Sequence, residues 1–269
     1  MNYTAVIRTL GKSGDKYQHL LDSLCAQTLR PAKILVYIAD GYPLPKESCG
    51  QEEYIYVRKG MVAQRALQYN EVDTEYILFL DDDLYLPYDL AENLYKTLSE
   101  NDADIVAPNI YDHTARGFKS ELLMTLSGRI RARRWDKTYG YKVMSTGGFS
   151  YNNRSESKAY ISQTNAGACF LCRKSDFLSI RFEDELWLDQ LSYAIVEGDY
   201  FFRKIFWHRF IQMPEKSLMK RLWNRMCISY FYGFGLLVSS LKGDKKALEA
   251  KRRGIANAEA FLNSEQYHK

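Results

Sequence analysis

Three consecutive aspartates, Asp81-Asp82-Asp83, follow the apolar run Tyr76 to Leu80 in the stretch EYILFLDDDLYLP. Carboxylates this close repel one another, which costs stability or raises a pKa unless a counter-charge answers them. A divalent cation is one answer. Mg²⁺ and Mn²⁺ prefer hard oxygen ligands and are held by one or two carboxylates together with substrate phosphates, not by a full protein cage. The competing explanation is acidic capping of a helix that starts at Pro87, a position where Asp is favoured. Two other chemical motifs fail on spacing. Gly11-Lys12-Ser13 resembles the end of a phosphate-binding loop, but the position that must be its first glycine is Val6. Cys169 and Cys172 form a lone CxxC with no second pair or His pair at zinc spacing, so they are expected to be buried strand cysteines.

The elements that position the aspartates follow from periodicity. YTAVIRT (Tyr3 to Thr9), KILVYIA (Lys33 to Ala39), YIYVR (Tyr54 to Arg58), YILFL and ADIVA (Ala103 to Ala107) read as strands. Tyr17, Leu20, Leu21, Leu24 and Cys25 recur at amphipathic-helix spacing, as do Leu90, Leu94 and Leu98 after Pro87. A further helix is predicted from Met61 to about Tyr69. Strands alternating with helices imply right-handed crossovers and an α/β fold with a mainly parallel central sheet, helices on both faces. Ligands bind such sheets at the carboxyl ends of the strands. Thr9, Asp40 and the triple aspartate each end a predicted strand and so fall on one edge.

Composition limits the functions. The chain has 269 residues, 46% of them hydrophobic, enough to fill a large core. With 37 basic and 33 acidic residues the net charge of +4 is too balanced for a nucleic-acid binder by charge alone. The N-terminal residues lack a charged leader followed by an apolar stretch, and five cysteines form no disulfide framework; both predict a chain that stays in the reducing cytoplasm. Between about Tyr111 and Ser162 the pattern loosens into a basic cluster, GRIRARRWDK, and a turn-rich stretch, STGGFSYNNRSES. A loop layer of this kind is where specificity usually sits. The basic cluster is either a solvated face or a surface for an anionic acceptor.

From Tyr3 to Pro214 the order and spacing of segments resemble family 2 glycosyltransferases of the GT-A fold. The opening AVIRTLGKSGDKYQHLLDSLCAQTLRPAKILVYIADG and the later KGMVAQRALQYNEVDTEYILFLDDDLYLP are each similar to family segments. The resemblance implies that Thr9 and Asp40 border the nucleotide of a nucleotide-diphosphate sugar and that Arg65 lies near base or diphosphate. Asp81 and Asp83 match the ends of the D-x-D motif: Asp83 is the expected ligand of Mn²⁺ or Mg²⁺, Asp81 is shared between ribose and metal, and Asp82 supports them. Two positions depart from the family pattern, Arg8 where Pro is common and Ala66 where Asn is common. NAGACFLCRKSDF resembles the segment whose Gly167 and Ala168 approach the donor sugar. VEGDYFFRK resembles the segment bearing the catalytic base, with Glu197 favoured and Asp199 the alternative; the competing reading is an ordinary acidic helix start. His208 is a further metal-ligand candidate, against a packed or surface histidine.

The resemblance implies an inverting transferase that moves a sugar to a saccharide or lipid-linked saccharide acceptor in cell-surface polysaccharide assembly. The alternative is a degenerate transferase kept as a sugar-binding or scaffolding subunit. A nucleotidyltransferase is disfavoured because no Gly-rich loop follows the first strand. A catalytic domain over 1–214 and a helical extension over 215–269 are expected. Met226 to Leu241 would span about 24 Å as a helix, short of the roughly 30 Å hydrocarbon core. It is expected to pack in a core, to form a homo-oligomer, or to lie on the inner face of the cell membrane as a peripheral helix.

Overall fold

The computed structural model describes residues 1–60, 63–110, 159–165, 167–180 and 218–264 continuously, with the short pieces 118–119, 122, 140–143, 149–151, 197–198, 200–201, 204–205 and 208. The chain divides into two compact units, Met1–Ile110 with Asn165–Asp189, and Tyr111–Thr164 with Gln190–Lys269. The expected extension 215–269 lies within the second unit. The basic cluster 128–137 lies outside the described residues.

The first unit contains strands β1 (Tyr3–Thr9), β2 (Lys33–Ala39), β3 (Glu52–Val57), β4 (Tyr76–Asp81) and β5 (Ile105–Val106). Helices α1 (Asp15–Cys25) and α2 (Leu90–Glu100) also belong to it. The second unit contributes the antiparallel pair β6 (Tyr141–Val143) and β7 (Phe149–Tyr151). The chain then returns to the first unit for β8 (Cys169–Arg173) and the short helix α3 (Lys174–Ser179). The sheet order is β3-β2-β1-β4-β8-β5. The four strands β3, β2, β1 and β4 are parallel, as their crossovers require. β8 is antiparallel to both β4 and β5. It therefore begins where β4 ends, with Cys169 opposite Leu80.

β1, β2 and β4 are buried along nearly their whole length because the sheet is covered on both sides. On one face α1 buries Tyr17, Leu20, Leu21 and Leu24, and α2 buries Ala91, Leu94 and Leu98, at the spacing the sequence predicted. On the other face Tyr69, Val72 and Phe177 pack on Phe79 and Phe170. Cys169 belongs to the first of these cores and Cys172 to the second. Three residues apart on a strand, they point to opposite faces and cannot close on one metal ion. Burial pushes each thiol up to about 12, so neither is a ready nucleophile.

The helix predicted from Met61 to Tyr69 is not formed over the described residues 63–69, which are turn and irregular chain. Tyr69 has φ 48, outside the right-handed helical region. Its ring is buried in the second core and its hydroxyl donates to the Gln64 carbonyl at 3.0 Å. Gln64, itself buried, donates from Nε2 to the carbonyls of Thr9 and Tyr37, each at 3.2 Å. These tertiary bonds draw the segment onto the carboxyl edge of the sheet, and they outweigh its helical spacing.

In the second unit, α4 (Leu218–Leu241) and α5 (Lys245–Leu262) pack together, α5 beginning at Asp244, whose side chain accepts from the Ala247 N–H at 3.0 Å. Gly254 of α5 touches the backbone of Glu197: a Cβ there would stand 2.3 Å from the Glu197 carbonyl oxygen. Backbone cannot yield as a flexible side chain can. Gly254→Ala is expected to destabilise this unit by about 1–3 kcal/mol. A thermal melt unchanged from that of the parent chain would reject this packing.

Candidate active site

The carboxyl edge of the parallel strands carries most of the residues singled out from the sequence. Arg8 and Asp81 are register partners on adjacent strands. The Arg8 guanidinium donates from Nη2 to Asp81 Oδ1 at 3.1 Å and to the Gly167 carbonyl at 2.8 Å. The Asp81 N–H donates to the Ala168 carbonyl at 2.8 Å. Because β8 is antiparallel, its lead-in residues Gly167 and Ala168 are delivered to the end of β4, and Arg8 and Asp81 hold them there. Arg65 Nη2 stands 3.6 Å from the same Asp81 oxygen. Thr9 donates its hydroxyl to Asp82 Oδ2 and accepts the Gly11 N–H at 2.8 Å.

Arg8 is the residue whose importance the sequence understated. It is 8% exposed, lies with its guanidinium carbon 5.6 Å from the centre of the Phe79 ring, and has an Nε that finds no hydrogen-bond partner among the described residues. Burial holds its pKa below the ordinary value, and the nearby Arg65 charge adds to the effect while Asp81 opposes it. Its only sequence signal was the departure from the proline common at that position. The repulsion within the triple aspartate is thus partly answered by the chain's own cations.

Asp83 differs from its neighbours. Its side chain is 52% exposed, and Lys16 Nζ approaches its Oδ2 only to 4.0 Å. The loop that follows is fixed from below: Gln27 donates to the carbonyls of Ser23 and Pro87 at 3.0 and 2.7 Å and accepts the Ala91 N–H at 3.0 Å. The Leu86 N–H donates to Ser23 Oγ at 3.2 Å. α1 and the start of α2 are thereby tied together beneath the aspartates. Among the described residues no group of three His, Cys, Asp or Glu side chains forms a metal cage. An open carboxylate beside one shared with arginines, all donors being oxygen, fits a hard cation that takes its remaining ligands from a substrate.

Asp40 is exposed at the end of β2, its N–H donating to the Val57 carbonyl at 2.7 Å. Beside it stands a group that sequence reasoning did not find. Lys12 Nζ and Lys59 Nζ lie 4.6 and 5.0 Å from the centre of the Tyr42 ring. A hydrogen bond with Lys59 holds the Tyr42 hydroxyl below the ordinary phenol pKa. These residues follow β1, β3 and β2, so only the strand order gathers them. Gly11 permits the approach: it has φ +66, and a Cβ there would stand 2.7 Å from the Pro43 carbonyl oxygen.

Glu197 lies in the second unit and is buried, 1% exposed. Its carboxylate accepts from Asn257 Nδ2 at 3.0 Å and from Arg253 Nε at 3.3 Å, both on α5. A carboxylate so enclosed is suited to holding α5 in place. Asp199 lies outside the described residues. His208 is half-buried in the same unit.

The fold is α/β, and the cluster lies at the carboxyl edge of its mainly parallel sheet. The model of glycosyl transferase family 2 matches residues 53–177, the segment that holds Arg65, the triple aspartate, Gly167 and Ala168. Over that segment, a little under half of the chain, the sequence is similar to family 2 glycosyltransferases. Among solved structures 71 chains match. One of S. aureus TarS is 17% identical, over 44% of this chain and 23% of that chain, with a TM-score of 0.33. The chain thus spans about a quarter of that relative's length. TarS 1-349 in complex with UDP is 11% identical, over 100% of this chain and 92% of that chain, with a TM-score of 0.45. An active-site mutant of LgtC is 10% identical, over 82% of this chain and 69% of that chain, with a TM-score of 0.38. Comparison with the curated proteins finds no match.

Proposed function

We propose that the chain transfers a sugar, with inversion, from a nucleotide-diphosphate donor to a hydroxyl of a saccharide or lipid-linked saccharide in cell-surface polysaccharide assembly. The observation that carries this reading is the meeting of Arg8, Thr9, Arg65, Asp81, Asp82, Gly167 and Ala168 at one strand edge, with Asp83 next to it and left open. Thr9 and Asp40 border the nucleotide, the Asp40 carboxylate accepting hydrogen bonds from the base. Gly167 and Ala168 face the donor sugar. Asp83 would hold Mn²⁺ or Mg²⁺, and Asp81, already engaged by Arg8 and Arg65, would be shared between ribose and the cation. When bound, the cation supplies Lewis-acid stabilisation of the leaving diphosphate. Arg65, Lys12 and Lys59 add fixed positive charge where negative charge grows.

In the transfer the acceptor oxygen bonds to the anomeric carbon as the bond to the diphosphate breaks, the electron pair leaving with the diphosphate. The hydroxyl proton passes to a carboxylate. Resemblance favours Glu197 for this role, but its burial beneath Arg253 and Asn257 fits a positioning residue, and the proposal gives the proton to Asp199. Asp199→Asn should lower turnover about 10²- to 10⁴-fold with donor affinity kept, whereas Glu197→Gln should mainly lower the melting temperature. Near-normal turnover in Asp199→Asn would remove it from the mechanism.

The enclosed state of Glu197 also favours a second reading, a catalytically degenerate sugar-binding subunit. A panel of nucleotide sugars separates the two. Release of nucleoside diphosphate on addition of acceptor supports the transferase; calorimetric donor binding with no release under any metal supports the binding subunit.

A further inference from the structure

Helix α4 presents an apolar face for which the transfer reaction has no use. Leu218, Leu222, Trp223, Met226, Leu237 and Leu241 are between 46% and 78% exposed. At about 100° per residue they fall within one arc of roughly 140°, four in the first half of the helix and two in its last turns. The opposite side is the one that packs. Lys251 of α5 donates to the Gly235 carbonyl at 2.9 Å and to Ser239 Oγ at 2.8 Å, and Tyr200 closes on Gly235 so tightly that a Cβ there would overlap its hydroxyl. Among the described side chains of α4, the small Gly235 and Ser239 meet α5 while the large Leu218, Leu222, Trp223, Met226, Leu237 and Leu241 face outward.

The charges beside this face say what meets it. Lys220, Arg221 and Arg225 are the charged residues of α4, which has no Asp or Glu. Arg221 and Arg225 are exposed on the Leu218 side of the apolar arc, about 60° and 20° outside it. Lys242, Lys245 and Lys246, just past its other end, are exposed as well. Two copies of the chain laid face to face would bring these cations together with no acidic residue of α4 to answer them. An anionic lipid surface supplies the complementary charge, and it accepts Leu, Met and Trp side chains at the boundary between headgroups and acyl chains. None of the described helices is long and apolar enough to cross a membrane.

We infer that α4 is a membrane-surface helix: it lies in the plane of an anionic bilayer, its apolar arc entering the interface and its arginines on the headgroups. This goes beyond the transfer reaction and does not depend on it, because vesicle binding is read without turnover. The full chain is expected to co-sediment with phosphatidylcholine vesicles containing about one-third phosphatidylglycerol and to bind vesicles of phosphatidylcholine alone at least about tenfold less well. Binding should weaken as salt rises. A Leu222→Ser, Trp223→Ser, Met226→Ser variant should lose vesicle binding while keeping the parent's melting temperature, and an Arg221→Glu, Arg225→Glu variant should lose the preference for anionic lipid. Retained binding in the folded serine variant would overturn the inference. So would failure of the parent chain to bind anionic vesicles at low salt, including the case in which it forms a dimer that the serine substitutions dissolve.

Discussion

Asp83→Ala is expected to reduce metal-stimulated turnover by about 10³-fold, equivalent to about 4 kcal/mol of lost transition-state stabilisation, while leaving the melting temperature within about a degree of the parent's. Both halves follow from its setting. The side chain is more than half exposed and, among the described residues, Lys16 approaches it only to 4.0 Å, so little folding energy rests on it. The same exposure leaves its oxygens open to a hard cation. Release of nucleoside diphosphate, followed across a Mn²⁺ or Mg²⁺ titration with the best donor of the panel, is the measurement. Turnover that survives the substitution, or that persists in the parent chain under excess chelator, would refute a metal role for this residue.

Arg8→Met should behave in the opposite way. Its guanidinium joins three chain segments, β1 on which it sits, Asp81 at the end of β4, and the Gly167 carbonyl ahead of β8. Removing one partner of a buried charge pair leaves the other uncompensated, at a cost of about 3 kcal/mol, which for a chain of this size corresponds to a melting temperature lower by about 5–10 °C. Arg65, 3.6 Å from the same carboxylate oxygen, can answer part of the Asp81 charge, but the bond that Arg8 gives the Gly167 carbonyl is lost with the guanidinium. Freed of Arg8, the Gly167–Ala168 turn should lose its fixed position, and KM for the nucleotide sugar should rise more than kcat falls. Arg8→Lys should recover part of the stability and less of the affinity, because an ammonium is a point charge and cannot reproduce the planar fork. An Arg8→Met protein with the parent's melting temperature and KM would show that the pair is incidental. Together the two variants separate a residue that acts on a substrate from one that holds the site's shape.

The sequence determined the parallel strands of the sheet and the edge at which the aspartates stand. The apolar runs of β1, β2 and β4, the 3.6-residue spacing in α1 and α2, and Asp81-Asp82-Asp83 directly after an apolar run are local signals, and local signals are what periodicity records. It also carried Gly167 and Ala168, by resemblance, though not the reason for their position. That reason is the antiparallel insertion of β8 between β4 and β5, pairings of residues about ninety and about sixty-five positions apart that no local pattern encodes. The segment 63–69 went the other way: its helical spacing was real but weaker than the burial of Tyr69 and the bonds from Gln64 to two strand ends.

Charge shows the same division. A sequence can announce that three carboxylates stand together, but whether each is neutralised, shared or open depends on what the fold brings alongside. Arg8 and Arg65 meet Asp81, Thr9 meets Asp82, and Asp83 keeps its exposure. Lys12, Tyr42 and Lys59 become neighbours only because β1, β2 and β3 lie side by side. Glu197 is acidic in the sequence, and only the fold encloses it against Arg253 and Asn257. Composition and spacing fix which side chains are available; tertiary packing sets their distances and solvation, and charge interactions depend steeply on both.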